Sequence, residues 1–142
     1  MAVYYVGMAG DVITRVVETT RVEYSQLQAG GPIAQYDLVY LDGDYVRVAQ
    51  ANAVGTMPVQ GMAFAASGAS GARMSILIRG VVSNGNWNFT SNAILYMSAL
   101  SGGLMTNTAP PSSGNIVQRL GKSRLPTSID FNPEDNYVTV AA

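Results

Sequence analysis

The stretch Gln35–Ala51, QYDLVYLDGDYVRVAQA, decides the fold. Tyr36, Leu38 and Tyr40 alternate on one side of Asp42-Gly43, and Tyr45 continues the run beyond it. Period-two spacing belongs to strands, whose side chains point to opposite faces in turn. Asp-Gly favours the positive φ values of a tight hairpin turn, whose twist matches that of the flanking strands. The spacing therefore predicts strands over 36–41 and 44–49.

The same texture extends outward on both sides. Thr56 to Ala65 reads as a strand, with Pro58 near its start, where no ladder donor is needed. Ser67–Ala72, SGASGA, is a turn. Arg73–Ser83, RMSILIRGVVS, is a strand with Met74, Ile76 and Ile78 on one face. Asn84–Asn92 is a loop carrying Trp87 and Phe89. Ala93–Ala99 is a strand, Leu100–Asn107 a turn with a short strand, and Thr108–Gly114 a loop, because paired prolines do not enter a ladder. Further strands are expected at Ile116–Leu120, Ser128–Phe131 and Tyr137–Val140. Many short strands with Gly, Pro, Asn and Ser between them indicate an all-β chain: a small β-barrel or β-sandwich of short antiparallel strands.

Two segments resemble each other. Residues 32–82 and 91–140 each read as a hairpin, a loop and a strand-turn-strand, with Val39-Tyr40 aligned on Leu95-Tyr96. Val59-Gln60-Gly61 aligns on Val117-Gln118 and, after a short insertion, on Gly121. The first 31 residues mix β-branched side chains with charges and show no helical stripe. They are expected to form an extended N-terminal arm or edge strands, leaving 32–142 as the β domain, with an ordinary first hairpin of the barrel as the alternative.

Of the 142 residues, 48% are apolar and only 12% charged, with a net charge of −1. A soluble domain usually carries about 25% charged residues. Between Val48 and Gln118 the only charges are Arg73 and Arg79. So sparse a set of charges suits a surface covered by partners. It provides no basic stripe for phosphate contacts, so no nucleic-acid partner is expected. The N-terminus lacks the basic and apolar regions of a signal peptide, and no apolar run is long enough to span a bilayer as a helix, so no membrane partner is expected.

There is no cysteine and no histidine. That removes disulfides, thiolate zinc sites and every His-dependent triad. Asp42 and Asp44 fit a turn far better than a calcium loop, which needs five or six ligands over twelve residues. Ser67–Ser75 lacks the Lys-Ser/Thr of a phosphate loop. Asn88-Phe89-Thr90 fits a glycosylation sequon and is read as accidental. No catalytic residue, cofactor-binding residue or metal ligand is expected, and the chain is read as a non-enzyme. The candidate interface residues are aromatic or basic: Tyr4, Tyr5, Arg15, Arg21, Tyr24, Trp87 and Phe89.

The segment Ala93–Val140 resembles one that recurs in structural proteins of tailed phages. Tyr96, Gly103-Leu104, Pro110, Gly114, Val117-Gln118, Gly121, Phe131-Asn132-Pro133 and Tyr137-Val138 carry the likeness. Tyr36–Asn52 with Pro58–Phe64 is similar to the small β-barrel of capsid decoration (cement) proteins, so that the resemblance spans about residues 32–140. It implies a virion protein on the capsid surface, made in the host cytoplasm, that binds the major capsid protein, assembles as a homotrimer and stabilises the shell. The alternative it leaves is a head-fibre or tail module that binds host surface carbohydrate. It also implies that the closing strands complete a barrel, with Asn132-Pro133 setting the turn before the last one.

Overall fold

The computed structural model describes residues 23–141. Eleven strands run in order: β1 Glu23–Ala29, β2 Leu38–Asp42, β3 Tyr45–Val48, β4 Gly61–Ala63, β5 Arg73–Ser83, β6 Ile94–Met97, β7 Met105–Thr106, β8 Ile116–Val117, β9 Arg119–Leu125, β10 Ser128–Phe131 and β11 Val138–Thr139. Among the described residues the only helical element is a 3-10 turn at Val54–Thr56. The chain is all-β, as the spacing predicts.

Five strands close on themselves. The order β1-β3-β2-β4-β5 returns to β1, because β1 pairs with β3 in parallel and with β5 antiparallel. Closure removes the open edges that invite aggregation. The barrel is filled by Ala29, Ile33, Val39, Val46, Ala63, Met74 and Ile76, a small set that suits so narrow a tube. Met74 and Ile76 share this core with Ile78 packed beside them, as their spacing predicts.

β5 is eleven residues long and serves two sheets. Its first part belongs to the barrel. Its last part, Gly80–Ser83, pairs with β10, which leads on to β9, β6 and β7. A larger core lies between this second sheet and the barrel wall. Leu38, Met62 and Leu77 reach it from the barrel, and Leu95, Met97, Leu120, Ile129 and Phe131 from the second sheet. β2, β4 and β5 thus bury both faces, which accounts for their nearly continuous apolar runs.

The two halves share a strand order, β3-β2-β4-β5 against β7-β6-β9-β10. They also share register. Val39 opposes Gly61 where Leu95 opposes Gly121, and Met62 opposes Leu77 where Lys122 opposes Asp130. Both glycines sit where backbones crowd. A Cβ on Gly61 would lie 2.7 Å from the Leu77 carbonyl oxygen, and one on Gly121 would collide with that of Asp130, the corresponding oxygen.

Four sequence expectations change. β1, grouped with the arm in residues 1–31, is an interior barrel strand with a partner on each side, so the barrel begins by Glu23. The Thr56–Ala65 strand shrinks to β4, and Ile116–Leu120 divides into β8 and the start of β9. β11 pairs only with β8, in a separate two-stranded ribbon, and does not complete the barrel.

Candidate functional site

Trp87 and Phe89 sit on the loop between β5 and β6. The loop opens with a turn in which Trp87 N–H donates to Asn84 O at 3.0 Å, while Asn86 N–H donates to the Asn84 side chain at the same distance. Phe89 N–H then donates to Pro126 O at 3.0 Å, and the Asn107 amide to Thr90 Oγ1 at 3.0 Å. Ser123, fully buried on β9, anchors the far end: Ala93 N–H donates to its hydroxyl, which donates to Thr90 O.

These bonds hold the two rings over the larger core, where Tyr36 joins them. The Tyr36 and Trp87 ring centroids lie 5.5 Å apart with planes at 64°, and those of Trp87 and Phe89 lie 5.8 Å apart at 44°. Edge-on and tilted contacts of this kind are favourable beyond area burial. Together the rings floor a groove of about 630 Å³. Asn84, Asn86, Asn88 and Gln35 supply amides, Gly103–Met105 form the opposite wall, and among the described residues Asp37 is the only charged side chain lining it.

The site is half legible in the sequence. Trp87 and Phe89 come together as candidates. Tyr24 lies on β1 opposite Leu77, in the barrel wall. Tyr4, Tyr5, Arg15 and Arg21 fall outside the described residues. Tyr36 reads as a strand residue but adopts φ 71°, a left-handed conformation that a tyrosine rarely takes, and this turns its ring out of the β2 ladder to the groove. Asp37 receives Ala34 N–H at 2.9 Å on its carboxylate and so stabilises that corner.

A second, shallower cavity of about 260 Å³ gathers Arg119, Lys122, Asp130 and Glu134 beside Ile94. Asp130 there also lies 3.6 Å from Arg124, both half-exposed. Mixed charge on an open face offers hydrogen bonding more than a focused field. Among the described residues no three His, Cys, Asp or Glu side chains group as a metal site, and no helix is long and apolar enough to cross a membrane.

Compared with known proteins, the chain matches no family model, no curated protein and no solved structure.

Proposed function

We propose that this chain is a structural virion protein that binds the outer surface of a tailed-phage capsid and stabilises the assembled shell. The observation that carries the reading is the surface. Leu100 is 94% exposed, and Val54, Leu104, Leu125 and Val138 are each more than half exposed. Val54, Leu100 and Leu104 belong to a stretch where charge is scarce, since the 71 residues from Val48 to Gln118 hold two cations. Apolar and neutral polar area of this kind is the material of interfaces.

Ala51 N–H donates to Ser98 O at 2.9 Å and the Gln50 amide to Ala99 O at 2.8 Å. These bonds tie the turn carrying Leu100 to the segment leading into Val54. A ligand that binds only the assembled shell stabilises it by mass action, and many copies multiply modest contacts. Homotrimers and contact with the major capsid protein belong to the same proposal.

The second reading, a fibre or tail module for host carbohydrate, has the aromatic groove in its favour. Against it, the three rings spend much of their faces on one another and on the core. Electron microscopy of purified virions separates the two. Many symmetry-related copies on the shell support decoration. A few copies at a vertex or on the tail support the fibre, and absence from the particle overturns both.

A further inference from the structure

We propose that the groove beside Trp87 is a ligand site for a neutral oligosaccharide. The inference takes up the carbohydrate reading of this groove, narrows it to uncharged sugars, and holds wherever the chain sits in a particle. It is carried by a set of polar groups that the fold leaves unused around one aromatic floor.

Gln35, Asn86 and Asn88 line the groove, and among the described residues their side-chain amides bond to nothing in the chain. Asp37 receives Ala34 N–H on Oδ2 at 2.9 Å, and its Oδ1 faces Gly103. A Cβ on Gly103 would lie 2.6 Å from that oxygen, so the glycine leaves the carboxylate room in the wall. Ser98 N–H donates to Leu104 O at 2.9 Å, which makes Ser98–Leu104 a hydrogen-bonded pair in line with β6 and β7. By antiparallel alternation the neighbouring pair, Met97–Met105, is not bonded, and the Met105 N–H and C=O point away from β6. β7 is the last strand of its sheet, so no described strand takes them up.

A single surface amide is met by water and signals nothing. Here three amides, a carboxylate oxygen and a backbone donor and acceptor surround Tyr36, Trp87 and Phe89. A sugar ring matches both parts. Its C–H groups suit the aromatic floor, and each hydroxyl both donates and accepts at the rim. The rings spend much of their faces on one another, so their margins supply contact and the rim supplies selection. A peptide strand would find one rung, Met105, on a two-residue edge. The groove's volume of about 630 Å³ lies within the usual range for ligand sites, about 300–1,000 Å³, and holds roughly two or three sugar rings. The bonds from Phe89 to Pro126 and from Asn107 to Thr90 hold the loop in place, so binding has little left to order.

Charge selects among sugars. Among the described residues no Lys or Arg lines the groove, and Asp37 is its one charge. A phosphate, sulfate or uronate would meet a like charge with no cation to offset it. A neutral hydroxyl instead donates to Asp37 Oδ1 in a charge-assisted bond.

The test titrates the purified full chain with the neutral trisaccharides cellotriose, maltotriose and tri-N-acetylchitotriose, and with trigalacturonic acid. Trp87, the only tryptophan, reports through its emission, and backbone amide shifts map the contact. At least one neutral sugar should give saturable shifts centred on Asn84–Phe89 and Gly103–Met105, with trigalacturonic acid at least about tenfold weaker. Asp37→Asn keeps an oxygen for Ala34 N–H and removes the charge, so it should narrow that gap. The double variant Asn86→Ala, Asn88→Ala should keep its urea midpoint and bind at least about tenfold more weakly. No saturable shift with any neutral sugar, equal binding of the acid, unchanged binding by the double variant, or the same shifts from trialanine overturns the proposal. A negative titration leaves the decoration reading standing, and absence of the chain from virions leaves the groove standing.

Discussion

The Gln118 carboxamide accepts Val59 N–H at 2.7 Å and donates to Val59 O at 3.1 Å and to Glu134 O at 2.7 Å. It is 1% exposed. A single side chain thus takes the place of a strand partner for Val59 and ties the approach to β4 to the segment after β10. Gln118→Ala would leave three buried or half-buried backbone groups without partners. The expected loss is about 2–4 kcal/mol, read as a lower midpoint in urea with an unchanged slope. Gln118→Glu should cost at least as much, because a carboxylate brings no donor for the two carbonyls. Ser123→Ala removes the hydroxyl between Ala93 N–H and Thr90 O. It should cost about 1–2 kcal/mol and, by loosening the loop, red-shift Trp87 emission.

At the scale of elements, Gly61 and Gly121 hold corresponding places in β4 and β9, each with a carbonyl of the next strand where a Cβ would go. Gly61→Ala should cost roughly 1–3 kcal/mol by overpacking. Gly121→Ala should cost more, since Gly121 also sits at φ 136°, where alanine is strained. Equal losses in thermal unfolding would mean that the positive φ adds nothing. Strand-level organisation was legible wherever apolar alternation met a clear turn. Asp42-Gly43 marks the β2–β3 hairpin, and Met74, Ile76 and Ile78 mark β5. β1 was hidden because, of Ser25–Ala29, only Ala29 and half-buried Leu27 are apolar residues packed in the narrow barrel, so its pattern reads as polar edge. The break between β8 and β9 was hidden because Gln118 looks like an outward polar residue and is in fact interior. Trp87 and Phe89 announced themselves by type. Tyr36 did not, because nothing in its neighbours signals a left-handed turn at a tyrosine.

At the scale of the whole molecule, folding and association draw on different residues. The two cores hold together without the exposed apolar side chains, and the ion pairs Arg47–Asp42 and Arg124–Asp130 are both half-exposed. Exposed pairs of this kind contribute about 0–1 kcal/mol each. Leu100, at 94% exposure, touches little in its own chain, so Leu100→Glu should shift stability by no more than about 0.5 kcal/mol. If a partner covers that turn, the same change should weaken binding by at least about tenfold, because it removes a buried leucine and forces a carboxylate out of water. Val54→Glu, on the adjoining segment, should behave alike. Urea titration of the purified variants reads the first quantity. Sedimentation with capsids assembled without the chain reads the second. Loss of both stability and binding would place Leu100 in the fold. Unchanged binding in both variants would mean that the apolar end near residues 54 and 100 faces solvent in the particle, and the surface argument for decoration would lose its ground.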